Sequence, residues 1–111
     1  MATGVGGPDG LEGGGFSILD PKLTIFALAN GMDLEKAPST RKLTWFRDGL
    51  ERGLLLSASA DGQVSVTALA WKRGDETSER SAPCAPDAPE AEVAEGMTSI
   101  LERAVDAANA L

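Results

Sequence analysis

The sequence has no histidine, no tyrosine, a single cysteine and no long apolar run, and these absences remove several classes of function. Without histidine, the chain lacks the commonest general base, the commonest metal ligand and the side chain that ordinarily titrates near neutral pH. Cys84 cannot form an internal disulfide, and with no histidine to activate it we expect an exposed, inert thiol. With no apolar run that spans a bilayer and no signal-peptide pattern, the expected location is the cytoplasm.

The remaining catalytic patterns are also missing from the sequence. The segment 1–15 is rich in glycine, but a phosphate loop needs Gly-Lys-Ser/Thr leading into a helix, and the first lysine is Lys22. No carboxylates are paired at a spacing that predicted structure would hold together, and no residues follow a metal-ligand spacing. We therefore expect a non-catalytic protein with no catalytic residues, no cofactor and no bound metal.

The formal net charge of −7 is unevenly distributed along the chain. Residues 1–21 carry −3 and residues 74–111 carry −7, whereas residues 22–73 hold eight bases against five acids, a net charge of +3. The predicted globular centre is therefore mildly basic although the whole chain is acidic, and an anionic partner is not excluded by the overall charge.

Length and composition predict one small α+β domain. A chain of 111 residues corresponds to a single domain, in which Leu, Val, Ile and Ala must build most of the core because only three Phe and two Trp are present. The segment 1–15 has too little apolar surface to offset its ordering entropy, so we expect a disordered tail. The predicted domain occupies 16–111 and has two layers, with an antiparallel hairpin at its centre.

The hairpin is predicted from two alternating runs, 54–60 and 63–72, on either side of Asp61-Gly62. A three-residue loop, 60–62, closed by a glycine in the left-handed conformation, gives a consistent register. It pairs Ala58 with Val64, Leu56 with Val66, and Leu54 with Ala68, which makes one face apolar throughout. The other face is polar near the loop and becomes apolar only at the open end, where Leu55, Leu69 and Trp71 gather.

Two segments before the hairpin are predicted to be helices. The first is 21–30, with Asp20 as N-cap, Pro21 at the first position and Asn30-Gly31 as its end. It is apolar nearly all round, which predicts a buried helix; a buried strand over 23–29 is the alternative. Phe16, Ile18 and Leu19 are compatible with an edge strand over 16–19.

The second predicted helix, 40–52, follows from apolar residues three and four positions apart. Its opposite face would expose Trp45 between Arg41 and Arg52, a combination typical of interaction hot spots. The alternative is that 42–47 is a third strand, with Asp48-Gly49 as its turn and Trp45 in the core.

The C-terminal part is predicted to be a linker followed by a helix. Residues 73–88 contain no Leu, Ile, Val or aromatic side chain, which predicts a flexible linker. From Val93 onward apolar residues recur at helical spacing, which predicts one amphipathic helix over about 89–110. Its apolar stripe is wide enough to cover the hairpin or to pair with a second copy in a homodimer.

Two functions remain as hypotheses. The first is a small cytoplasmic protein-binding or adaptor domain whose candidate surface consists of Arg41, Trp45, Arg52, Leu55, Leu69 and Trp71. The second is a winged-helix-like nucleic-acid-binding or regulatory module, with 40–52 as recognition helix, 54–72 as wing and an acidic C-terminal segment. A protein partner is expected, nucleic acid is an alternative, and no membrane partner is expected.

Overall fold

The computed structural model describes residues 16–111, which form an antiparallel sheet of five strands preceded by one helix and followed by two. The sheet is a meander in which each strand pairs with the next along the chain. The predicted α+β class is therefore confirmed, whereas the predicted tail 1–15 lies outside the described residues. The elements are α1 (Leu19–Asn30), β1 (Asp33–Ala37), β2 (Thr40–Arg47), β3 (Leu50–Ala58), β4 (Gln63–Lys72), β5 (Asp75–Pro89), α2 (Glu90–Glu95) and α3 (Met97–Ala110).

All three helices bury their apolar side chains against the same face of the sheet, which we call the covered face. Side chains alternate along a strand, and the cross-strand register aligns the covered-face residues of β2, β3 and β4. The resulting core consists of Leu43, Leu54, Leu56, Val64, Val66 and Ala68 from the strands, Leu19, Leu23 and Ala27 from α1, Val93 from α2, and Met97, Leu101, Ala104 and Ala108 from α3, with Phe16 beside them. The opposite face, which we call the open face, carries no helix from residues 16–111.

The β3–β4 hairpin has the register predicted from the alternating runs, although β3 begins earlier, at Leu50. Leu54 pairs with Ala68, Leu56 with Val66, and Ala58 with Val64. Gly62 closes the loop with φ +82°, a conformation that disfavours any residue with a Cβ atom. The side chain of Asp61 in this loop accepts a hydrogen bond from the Ser59 hydroxyl, which lowers the pKa of that exposed carboxyl.

The predicted helix over 40–52 is wrong, because this segment forms β2, a tight turn and the start of β3. Asp48 and Gly49 both have positive φ, +54° and +83°, as a two-residue hairpin turn requires. Leu43 and Leu54, which the helical interpretation placed three turns apart, are direct partners across the two strands. The alternative, a third strand with its turn at Asp48-Gly49, is the arrangement found.

Residues 75–88 of the predicted linker 73–88, together with Pro89, form the long edge strand β5. An edge strand pairs on one side only and accepts proline where its N–H groups are not needed, which suits Pro83, Pro86 and Pro89. Its small side chains, among them Ala85 and Ala88, pack at the margin of the core, so it needs no large apolar residue. The register with β4 shifts at several points, as expected for a strand interrupted by prolines.

The segment 21–30 is helical, as predicted, and Gly31 ends it in the left-handed conformation with φ +66°. The helix begins earlier, at Leu19, so the edge strand over 16–19 is wrong. The sequence predicted that this helix is buried on all sides, but it is buried on one side only, because Ile25 is 68% exposed and Leu28 is 78% exposed.

The N-terminus of α1 is capped from a distant part of the chain. Asp20, the predicted N-cap, instead lies within the first turn and makes no cap hydrogen bond. The backbone N–H groups of Ile18 and Leu19 donate to Glu90 Oε2 at 2.7 and 2.9 Å. A carboxylate at this position also interacts favourably with the positive end of the helix dipole, so Glu90 ties α1 to the start of α2.

We expect Glu90→Ala to lower the free energy of unfolding by about 1–2 kcal/mol, the usual effect of losing a side-chain cap. Glu92→Ala is the matched control, since Glu92 is an exposed glutamate of the same helix, two residues after Glu90. Urea denaturation of both variants measures the difference. Equal stability of the two variants would show that Glu90 does not cap α1.

The predicted C-terminal helix 89–110 is divided at Gly96 into α2 and α3. Its apolar stripe lies across the covered face, with Leu101, Ala104 and Ala108 fully buried. The stripe is therefore used within one chain. Neither α3 nor any other helix within residues 16–111 is long and apolar enough to cross a membrane.

Candidate interaction surfaces

Arg41, Trp45 and Arg52, the polar half of the predicted surface, lie on the covered face of the sheet. Arg41, Leu43 and Trp45 are two positions apart in β2, so they point to the same side of the sheet. Trp45 is the direct cross-strand partner of Arg52. Arg41 and Arg52 are each only 4% exposed. The exposed row expected for a helix is therefore wrong, and these side chains contact the helices instead.

Arg41 connects the sheet to α1 through its guanidinium group. Its Nε and Nη2 donate to the two carboxylate oxygens of Asp20 at 2.7 and 3.0 Å, a bidentate ion pair. Its Nη1 donates to the carbonyl oxygens of Ala37 and Thr40 at 2.6 and 2.8 Å, and its Cζ lies 4.5 Å from the centroid of the Phe16 ring. These contacts assign Arg41 a structural role.

Arg52 and Trp45 hold the end of α3 against the sheet. Arg52 Nη1 donates to the Ala108 carbonyl at 2.6 Å, which satisfies a C-terminal helix acceptor and places a positive charge at the negative end of the helix dipole. Its Nε donates to the Arg47 carbonyl at 3.1 Å. Trp45 packs against the core while its indole Nε1 donates to Asn109 Oδ1 at 3.1 Å. The strand interpretation of 42–47, which placed Trp45 in the core, therefore describes its surroundings better than the helical one.

Leu55, Leu69 and Trp71, the apolar half of the predicted surface, are brought together on the open face. The register places Leu69 opposite Gly53, Trp71 opposite Glu51, and Leu55 opposite Thr67. Leu69 is 5% exposed although it is not part of the helix-covered core, whereas Leu55 and Trp71 are half-buried. The hairpin register thus predicted this grouping correctly.

Phe46 completes the apolar area on the open face, and it was absent from the predicted surface. Phe46, Glu51 and Trp71 form one row across β2, β3 and β4. Phe46 is 51% exposed. The strand interpretation of 42–47 would have found it, because a residue next to the inward Trp45 must point to the other face.

The indole of Trp71 lies next to Gly53. A Cβ atom at residue 53 would be 3.4 Å from Cζ3 of the indole and 3.1 Å from the Leu43 carbonyl oxygen, so the absence of a side chain gives the ring its place. On β2, Lys42 Nζ lies 4.6 Å from the centroid of the Trp71 ring. The indole is thus positioned by the backbone of β3 and by a cation.

A second cation lies over the other exposed ring. The Cζ atom of Arg73 is 4.4 Å from the centroid of Phe46, and the same guanidinium forms an ion pair with Glu51. We name Lys42, Phe46, Leu55, Trp71 and Arg73 together the open-face patch. It combines two aromatic rings, a leucine and two cations on a regular sheet, and its Phe, Trp and Arg are residue types enriched in protein-binding surfaces.

Other reactive groups of the chain form no site within the described residues. Cys84, predicted to be exposed, is half-buried on β5, with its Sγ 3.4 Å from the Ala82 carbonyl oxygen. Between residues 16 and 111, no three Cys, Asp or Glu side chains are grouped closely enough to hold a metal ion.

Comparisons with protein-family models, with curated proteins and with solved structures find no match to this chain. The function is therefore argued from the two faces of the sheet alone.

Proposed function

We propose that the chain is a non-catalytic cytoplasmic protein-binding domain and that the open-face patch is its binding surface. The observation that carries this proposal is the pair of rings, Phe46 and Trp71, on a sheet face without helices, each ring with a cation over it. Aromatic and arginine side chains dominate the energetics of protein interfaces, and a rigid sheet presents them at little entropic cost.

The charges of the patch indicate the chemistry of the partner. Lys42 and Arg73 each lie over one of the two rings, and Arg73 is already paired with Glu51, so Lys42 is the cation of the patch that is available to a partner. Lys42 makes no ion pair with any residue from 16 to 111. We therefore propose that the partner is a protein segment with acidic side chains next to apolar ones. Its carboxylates would pair with the cations while its apolar side chains cover the rings.

The winged-helix architecture lacks its structural basis, because the segment that would be the recognition helix is a β-hairpin. Exposed rings beside cations can also stack on the bases of single-stranded nucleic acid. Both rings of this patch already carry a cation of the same chain, and acidic Asp33 and Glu35 lie on β1, next to Thr44 and Lys42. The surrounding charge thus favours a protein partner.

The experiment is a peptide-display selection on the immobilised full-length chain, with Phe46→Ser as the counter-selection target. Phe46 is half exposed, so this substitution removes a ring of the patch without opening the core. We expect the selected peptides to combine Asp or Glu with aromatic or aliphatic residues. Enrichment of basic peptides, or equal binding to both proteins, would contradict it. A labelled oligothymidylate is the comparison probe: binding that requires Phe46 and falls steeply with salt would assign the surface to nucleic acid instead.

For a selected peptide, we expect Lys42→Glu to weaken binding by about tenfold or more, because it replaces an attractive charge with a repulsive one. Arg103→Glu is the matched control, since it makes the same change in net charge at an exposed position on α3, on the other side of the sheet. Fluorescence anisotropy with a labelled peptide measures both affinities. An equal loss in the two variants would mean that overall charge, and not the patch, determines binding.

A further inference from the structure

The helix α1 is apolar around most of its circumference, but the described fold buries only one side of it. Leu19, Leu23 and Ala27 lie in the core. On the opposite side Ile18, Ile25 and Leu28 are exposed by 46%, 68% and 78%. Ile18 and Ile25 are seven residues apart, and Ile25 and Leu28 are three residues apart, so the three side chains share one side of the helix. We call them the α1 stripe. Helices with apolar residues all round are normally buried on all sides, which indicates that another surface covers this stripe.

The α1 stripe borders a groove between α1 and the two C-terminal helices. The groove consists of two cavities of about 330 and 280 Å³ that meet at Phe26. The first reaches from Ile25 to Met97 on α3, and the second reaches from Phe26 to Val105 on the same helix. The groove and the stripe lie side by side on the helical layer, away from the open-face patch, and Ile25 belongs to both.

The two ends of this groove carry opposite charges. Lys22 lines the first cavity, one helical turn before Phe26, whereas Glu102 and Asp106 line the second cavity. None of these three side chains makes an ion pair with another residue of the described chain. A two-fold axis close to Phe26 would bring Lys22 of one chain to Glu102 and Asp106 of another, and the same contact would form twice. The surface is therefore complementary to a copy of itself.

We propose that a second copy of this chain covers the α1 stripe, forming a two-fold symmetric dimer in which α1 packs antiparallel to its counterpart. The apolar stripe of the C-terminal helix, for which the sequence left covering the hairpin and pairing with a second copy as alternatives, is buried against the sheet. The exposed apolar area of α1 provides the driving force, and the Lys22 pairs determine the orientation. The dimer leaves both open-face patches accessible, so it is independent of the proposed peptide binding.

Sedimentation equilibrium of the full-length chain tests this inference over a range of about 1–200 µM, because association depends on concentration. We expect a dimer for the wild type and an increase in the dimer Kd of about 30-fold or more for Ile25→Asp. Ile25 is exposed in the single chain, so circular dichroism should show an unchanged fold. Phe46→Ser on the open face is the matched control and should dimerise like the wild type.

A charge-swap experiment tests the orientation. Lys22→Glu alone and Glu102→Lys/Asp106→Lys alone each place like charges together in the homodimer and should weaken it by about tenfold. Mixed together, the two variants should form a heterodimer, because every charged contact is then attractive. A wild-type monomer throughout the range, dimer loss in Phe46→Ser instead of Ile25→Asp, or failure of the mixture to associate would each overturn the inference.

Discussion

Replacing Asp20 with alanine is expected to lower the free energy of unfolding by about 3–5 kcal/mol, one of the two largest effects of any single substitution considered for this chain. Asp20 is the carboxylate that accepts the bidentate bond from Arg41, whose guanidinium is 4% exposed. Removing that carboxylate takes away both hydrogen bonds of the bidentate ion pair, while the bonds from Arg41 to the Ala37 and Thr40 carbonyls remain. Equilibrium denaturation in urea measures the loss.

The double variant Asp20→Ala/Arg41→Met distinguishes the removal of an ion pair from a general loss of packing. Methionine retains much of the aliphatic volume of Arg41 and carries no charge that needs a partner, so most of the stability should return. A single variant that loses less than about 1 kcal/mol would show that the pair is not needed, as is common for exposed ion pairs. Simple additivity of the two changes would also contradict this account.

Leu101→Ala should lower the free energy of unfolding by about 2–5 kcal/mol, because it creates a cavity in the core between α3 and the sheet. Leu101 is fully buried and belongs to the central cluster on the covered face. The same substitution at Leu28, which is 78% exposed on α1, is the control and should change stability by less than about 0.5 kcal/mol.

Both leucine variants should be measured at low protein concentration, where association does not add to the apparent stability. A large loss for Leu28→Ala under these conditions would show that α1 buries this residue within the single chain. A small loss for Leu101→Ala would show that α3 is not docked on the sheet.

The central hairpin could be predicted from sequence because its two strands alternate strictly over several residues. Only one loop length placed apolar residues opposite each other on one face, and that register is the one found. It also grouped Leu55, Leu69 and Trp71 correctly. Local patterning is sufficient here because a sheet with one buried face penalises every other register.

The error over 40–52 has a physical cause in the hairpin itself. In β2 and β3, residues on either side of the turn share a face, so Leu43 and Leu54 recur at an interval that also fits a helix. The decisive signal was Asp48-Gly49, since a short loop with two positive φ angles cannot occur inside a helix. The helical interpretation therefore placed Trp45 on the exposed side and left Phe46 and Lys42 out of the predicted surface.

Two other features depend on contacts between distant parts of the chain, which the sequence does not reveal. Strand β5 lacks large apolar residues because an edge strand needs only small side chains at the core margin. The cap of α1 comes from Glu90, 71 residues away from Leu19 along the chain. Local capping rules identified Asp20 as the cap, whereas its carboxylate is used by Arg41.

The most direct test of binding at the open face is the affinity of one selected peptide for Phe46→Ser and for Trp45→Phe. The two aromatic residues are neighbours in sequence, but Phe46 lies on the open face and Trp45 packs against the helices. We expect a Kd raised by about 30-fold or more for Phe46→Ser and changed by less than about twofold for Trp45→Phe. The reverse order, or an equal loss in both, would contradict the assignment of binding to the open face.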